Sequence, residues 1–297
     1  MLPSFRNAGE QRSHEADATP CSRPVRVSEL SRVNRDARVS CGADAGHADR
    51  RRAAGREIVS RSVSETLAVP SRFNGPLESG NGGYCSGVIA SFLEGATEVS
   101  LRRPVPLETT LDVVREADGS VRVFNGEVLV AEARSAPEFD VEVPEPVRPQ
   151  EARLAAARYR GLSDGLFSRC FVCGRARADA FGVFAGAVEG RQLVASPWTP
   201  PSWTVGAAGR VLPEFVWAVL DCPTYFALYM NGELPMSVLA RLTARINAPI
   251  AAGEEHVVIA WPIETDGRKR HAGSAVVSPD GEALAVARAL LIEPRAG

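Results

Sequence analysis

The sequence predicts an α+β chain made of two successive copies of one pattern, each a curved antiparallel sheet wrapped around one central helix. Three observations carry this. The order strand, loop, single apolar helix and then long strands joined by hairpins can be read twice along the chain. Turn signals recur at matching places: Asp118-Gly119 against Asp266-Gly267, and Asn125-Gly126-Glu127 against Asp280-Gly281-Glu282. A lone helix followed by antiparallel strands buries both its own apolar surface and one sheet face only if the sheet curls around it.

The elements follow in order. Residues 1–60 hold a single aromatic, Phe5, with many Arg, Ala, Ser and Asp and no sustained period, so they cannot bury enough apolar area to offset their ordering entropy. A disordered N-terminal extension is expected there. An over-long gene model is one source of such a segment, and peptide mass spectrometry that locates the native start tests it. The first copy spans 61–140: a strand at Thr66-Leu67-Ala68-Val69, a helix from Tyr84 to Glu94 on the spacing of Val88, Ile89, Phe92 and Leu93, then strands near 97–103, 109–117, 120–125 and 127–135. A Pro-rich linker at 141–165 follows, and the piece between the copies, roughly 137–152, is predicted to cross in extended form because of Pro137, Pro144, Pro146 and Pro149. The second copy spans 166–297, with strands at 180–185 and 191–196, a helix from Pro213 to Met230, and strands near 237–247, 254–264, 268–278 and 283–293. Arg103-Pro104 parallels Ala248-Pro249, and Ala131-Glu132-Ala133-Arg134 parallels Ala285-Val286-Ala287-Arg288. This architecture is the hotdog fold.

The 297 residues suffice for about two domains at roughly 150 residues each. A composition of 45% hydrophobic and 24% charged residues is that of an ordinary globular chain. The net charge of −2 offers no general attraction to nucleic acid or anionic membrane, and no apolar run reaches the ~18 residues of a membrane span. Neither a secretory signal nor a transit peptide fits the acid-strewn N-terminus, so a cytoplasmic location with free thiols is expected. Cys170-Phe171-Val172-Cys173-Gly174 has the spacing of half a structural zinc site. No second C-x-x-C and no paired histidines supply the other half, so no metal is expected.

Several runs in the second copy carry a resemblance. They are Cys170-Phe171-Val172-Cys173-Gly174, Trp217-Ala218-Val219-Leu220-Asp221, Asn247-Ala248-Pro249, Gly267-Arg268-Lys269 and Asp280-Gly281-Glu282-Ala283-Leu284-Ala285. In that order they resemble the PaaI-like branch of hotdog-fold acyl-CoA thioesterases. Asn81-Gly82-Gly83-Tyr84 and Leu101-Arg102-Arg103-Pro104 look like the N-terminal half of double-hotdog thioesterase-like proteins. The resemblance implies acyl-thioester chemistry on coenzyme A or acyl-carrier-protein substrates, without a cofactor. It also implies one composite site, because hotdog pairs commonly place the oxyanion donors and the carboxylate on opposite partners. A fused pair satisfies that pairing within one chain, so either a monomer or a homodimer is compatible. The sequence departs from the family at Asn81, where a histidine usually precedes the two glycines.

Such chemistry needs backbone donors for the developing oxyanion and a carboxylate that activates water or attacks directly. Asn81-Gly82-Gly83-Tyr84 suits the first need: Gly82 lets a substrate approach the backbone, and Gly83 and Tyr84 offer first-turn amides. A plain cap by Asn81, with the glycines there for close packing, is the competing reading. Asp221 suits the second need, since it interrupts an apolar helical run where its pKa should rise. Pro223 should kink or restart the helix, and a cap by Asp221 on a second helical segment is the competing reading. Thr224, one turn on, is placed to orient Asp221 or a water. Glu94 is a weaker acid candidate beside a helix-ending glycine.

Arg268, Lys269 and Arg270, with His271, form the densest basic cluster of the part expected to fold, suited either to coenzyme A phosphates or to a solvated strand face. Trp217, with Trp198 and Trp203, either lines an acyl pocket or packs the halves together. Absence of a G-x-S-x-G elbow argues against a serine triad. The readings that remain are a thioesterase and, as the alternative, a non-catalytic acyl-CoA or acyl-chain binding protein. An enoyl hydratase on this fold would need an Asp and His together on one loop, which is not seen.

Overall fold

The computed structural model describes residues 65–161 and 165–293. The disordered extension expected at 1–60, with Cys21 and Cys41, lies outside them. Eleven strands form a single sheet in the order β1-β3-β4-β5-β2-β8-β11-β10-β9-β7-β6. The first half supplies β1 (Glu65–Leu67), β2 (Thr97–Leu101), β3 (Leu111–Arg115), β4 (Val121–Asn125) and β5 (Val128–Ser135). The second supplies β6 (Gly186–Ala187), β7 (Val194–Trp198), β8 (Val238–Ile246), β9 (His256–Asp266), β10 (Lys269–Val277) and β11 (Ala283–Ile292).

The two halves repeat one strand permutation. From its outer edge the first runs β1-β3-β4-β5-β2, and the second, setting the short β6 aside, runs β7-β9-β10-β11-β8. They meet where β2 pairs antiparallel with β8, Val99 opposite Leu242. Matching turns occupy matching corners: Gly119 and Gly267 join β3–β4 and β9–β10, and Gly126 and Gly281 join β4–β5 and β10–β11. All four glycines have positive φ, which is why these tight turns carry glycine.

Helices α1 (Gly82–Ala90) and α3 (Pro213–Leu228) pack on one another and on the same side of the sheet. Their buried residues, with Val99, Val123, Leu242, Val258 and Val276 from the strands, form the main core. A smaller core covers the opposite sheet face, where Val257, Ile259, Trp261, Ala275 and Val277 meet Ala152 and Ala155 of α2 (Pro149–Ala156). Strand β9 is therefore buried on both faces through Trp261, which explains its unbroken apolar run.

Three expectations need correction. The stretch 137–152 is not extended throughout, because α2 begins at Pro149; proline at the first helical position loses no hydrogen bond, and the Glu151 carboxylate accepts from the Arg148 amide. No strand forms at 180–185: the amides of Phe181 and Val183 donate to the carbonyls of Phe171 and Val172, tying this segment to the cysteine loop instead. Pro223 neither ends nor restarts α3, which continues to Leu228. Hydroxyls of Thr224 and Ser274 donate to the carbonyls of Asp221 (2.6 Å) and Leu220 (2.7 Å) beside the break in the ladder.

Candidate active site

Asp221 and the glycine turn, 138 positions apart, meet directly. The Gly83 amide donates to Asp221 Oδ2 at 2.8 Å. Close approach of α1 to α3 makes this contact, and the glycines permit that approach. A Cβ on Gly83 would lie 2.5 Å from Asp221 Cβ and 2.5 Å from the Trp217 carbonyl oxygen; one on Gly87 would lie 2.6 Å from Glu214 Cα. Here the glycines of α1 serve helix-on-helix packing. The neighbour they pack against is α3.

Asp221 does not cap a second segment of its own helix. Its carboxylate reaches the positive end of α1, where first-turn amides lack intrahelical acceptors. Burial pushes the carboxyl up to about 7, the nearby Cys170 sulfur adds to the rise, and the Gly83 hydrogen bond opposes it. A carboxyl that exchanges its proton near neutrality, held in a dry setting, is suited to general-base work.

Asn81 caps α1: its Oδ1 accepts from the Tyr84 amide at 2.9 Å. The Tyr84 amide is therefore engaged, and the Tyr84 ring is buried and stacks on Phe73 with centroids 4.3 Å apart. Of the first-turn amides, only that of half-buried Gly82 has no hydrogen-bond partner among the described residues. Thr224 donates to the Asp221 main-chain carbonyl, so it braces the helix and does not orient the carboxylate. Glu94 is exposed in the loop after α1, which ends at Ala90, four residues short of the expected end.

The remaining candidates lie elsewhere. Trp217 is buried against Gly87 of α1. Phe73 and Tyr84 of the first half share one aromatic cluster with Phe171, Phe181, Trp203 and Phe215 of the second, and Trp198 joins it through Phe181. Arg270 Nε donates to Glu293 Oε1 at 2.5 Å, Arg268 Nη1 donates to the Glu293 carbonyl at 2.8 Å, and Lys269 lies 3.9 Å from Asp266. Arg270 also lines a cavity of about 450 Å³ with Tyr229, Gly232, Pro235 and Pro262. Tyr229 follows Asp221 by eight residues, about 12 Å along a helix. A second hollow of about 420 Å³, lined by Leu212, Val216, Asn247 and Ile250, lies at the other end of α3. Neither includes Asp221.

One cluster was not legible in the sequence. Cys222, next to Asp221 on α3, brings its sulfur to the Cys170/Cys173 pair, all three sulfurs lying within 4.8 Å of one another. The same Asn81 amide that caps α1 points its Nδ2 at Cys222 Sγ (3.5 Å) and Cys170 Sγ (3.7 Å). A lone cysteine beside an aspartate carries no spacing signal, which is why it was missed.

No protein-family model matches the sequence, and no curated protein does. Solved structures are similar in fold. The tesB protein of Mycobacterium avium subspecies paratuberculosis matches with a TM-score of 0.51 at 13% identity, over 78% of this chain and 92% of that one. A protein of unknown function with a hot dog fold from Alicyclobacillus acidocaldarius matches with a TM-score of 0.50 at 12% identity, over 78% and 93%. A thioesterase superfamily protein is 21% identical over 44% of this chain, with a TM-score of 0.39, and the chain spans only 63% of its length. Among the described residues, no helix is long and apolar enough to cross a membrane. With its antiparallel sheet laid over buried helices and these structures as its likenesses, the chain is a hotdog-fold protein.

Proposed function

We propose that this chain hydrolyses acyl thioesters, of coenzyme A or of an acyl carrier protein, at one composite site on a tandem hotdog whose halves are residues 61–140 and 166–297. The observation that carries the reading is the 2.8 Å contact of Asp221 from one half with the Gly83 amide of the other. It joins an acid poised near neutrality to a helix N-terminus able to receive negative charge.

In the proposed reaction, Asp221 takes a proton from water while the water oxygen bonds to the thioester carbonyl carbon. The carbonyl oxygen, becoming anionic, accepts from the Gly83 amide, released by the carboxylate, and from the free amide of Gly82. Collapse breaks the C–S bond, and the sulfur leaves with the proton as free thiol. Direct attack by the carboxylate is the variant of this scheme.

A thiol-release screen across short, medium, long and aromatic acyl-CoAs tests it, turnover of at least one class being the expected result. Because Asp221 must be ionised to act, kcat/KM is expected to rise with pH through about 7 and then level off. A profile flat across that region would remove Asp221 as the base.

Arg268, Lys269 and Arg270 are proposed as phosphate contacts at the remote end of the substrate. Arg270→Ala is then expected to raise KM for an acyl-CoA about tenfold while leaving a short thioester lacking the nucleotide unaffected. Equal effects on both substrates would argue against that role.

One observation favours the binding-protein alternative: the Gly83 and Tyr84 amides are already held by Asp221 and Asn81. Tight acyl-CoA binding with no thiol released over hours would select it.

A further inference from the structure

We propose that Cys170, Cys173 and Cys222 form a binding site for a zinc ion. Geometry is the first support. A tetrahedral zinc about 2.3 Å from each sulfur sets its ligands about 3.8 Å apart. Cys170 Sγ and Cys222 Sγ are 3.8 Å apart, and all three sulfurs lie within 4.8 Å of one another. Side-chain adjustment of at most about 1 Å closes the rest.

The loop around the first two thiols is built as a sulfur cradle. The Gly174 amide donates to the Cys170 carbonyl at 2.8 Å and closes the turn. A Cβ at position 174 would meet that carbonyl oxygen at 2.5 Å, so the wrap requires glycine. Asn81 brings a donor to the cluster: with Oδ1 committed to the Tyr84 amide, its Nδ2 faces the sulfurs of Cys170 and Cys222. Donors to the ligand sulfurs orient them and disperse the negative charge of a thiolate–zinc group.

Binding would release the thiol protons to solvent as the three thiolates engage the ion, leaving the fourth position to a small exogenous ligand such as water. The ion would pin the 168–174 loop to α3 and, through Asn81, to the start of α1. It would therefore brace the two helix segments that bring Gly83 to Asp221. This site is independent of whether the chain hydrolyses thioesters.

The test uses the full chain, purified from zinc-supplemented cells without chelator. Elemental analysis is expected to find one zinc per chain, and Co²⁺ added to the stripped protein should give thiolate-to-cobalt charge-transfer absorption that saturates at one equivalent. Cys222→Ser is expected to weaken zinc retention roughly 100-fold, and Asn81→Ala about tenfold. Cys85→Ser, at a buried cysteine outside the cluster, should retain the ion. The wild-type cobalt spectrum keeps the test decisive if Cys222→Ser does not fold. Three results would overturn the site: wild-type protein without zinc and without the cobalt–thiolate band; a band unchanged in folded Cys222→Ser, which would place the metal on other cysteines; or a Cys170–Cys222 disulfide in the native protein. Thiol release from acyl-CoA, measured on the same samples, reports separately on the proposed hydrolysis.

Discussion

Replacing Asp221 with asparagine is expected to lower thioester turnover about 10²–10⁴-fold while making the protein more stable in neutral and alkaline buffer. The two effects have one source. Burial raises the folded-state pKa to about 7, against 3.8 for an unperturbed aspartate. Between those values the unfolded chain gives up this proton and the folded chain keeps it, so the folded state binds more protons. Stability contributed by this group is then full below pH ~4, falls as pH rises, and is lost once pH passes ~7. A shift of that size corresponds to about 4 kcal/mol. Asparagine has no charge to bury and can still accept from the Gly83 amide. Denaturant unfolding at pH 8 should therefore show Asp221→Asn more stable than wild type by about 2–4 kcal/mol, with the gap closing near pH 4. Equal stability at both pH values would mean that Asp221 is well hydrated, and the general-base role would lose its physical basis.

Gly83→Ala should be strongly destabilising. Its new methyl would press on the Trp217 carbonyl oxygen at 2.5 Å and on Ala218 Cα at 2.9 Å, and these are backbone atoms of α3 that cannot swing aside. The helices must separate, at a cost of about 3 kcal/mol. In a domain of this size that lowers Tm by about 6–12 °C. Separation also lengthens the Gly83–Asp221 hydrogen bond, so activity should fall even in the folded fraction. Gly232→Ala, where a Cβ meets nothing within 4 Å, is the control expected to leave Tm unchanged. A Gly83→Ala protein as stable as that control would show that α1 and α3 do not pack as closely as described.

Much of the fold was legible because local chemistry dictates it. Hairpins at Asp118-Gly119 and Asp266-Gly267 need positive φ, and glycine announces this in the sequence. The long strands of the second half fell within two residues of their expected ends. Misreadings arose where a tertiary partner outbid local preference. Phe181 and Val183 look like a strand, yet their amides find acceptors on the cysteine loop. Pro223 looks like a helix break, yet hydroxyls on Thr224 and on distant Ser274 donate to carbonyls beside it.

The candidate site divides in the same way. Asp221, Asn81 and the glycines stand out by type, as an acid in an apolar helix and a cap before a flexible turn. Their partners do not. That the Asp221 carboxylate holds the Gly83 amide, that Asn81 faces two sulfurs, and that Cys222 completes a trio of thiols follow from two helices crossing within a shared core.

By itself, the sequence determined the periodic elements, the turns, the repeat and which residue types were out of place in their surroundings. These depend on neighbours a few positions away, whose geometry the backbone constrains directly. Only the tertiary structure decided which of those residues touch. Contact across 138 positions depends on how tightly α1 and α3 approach, a sum over the whole buried interface that no local pattern encodes.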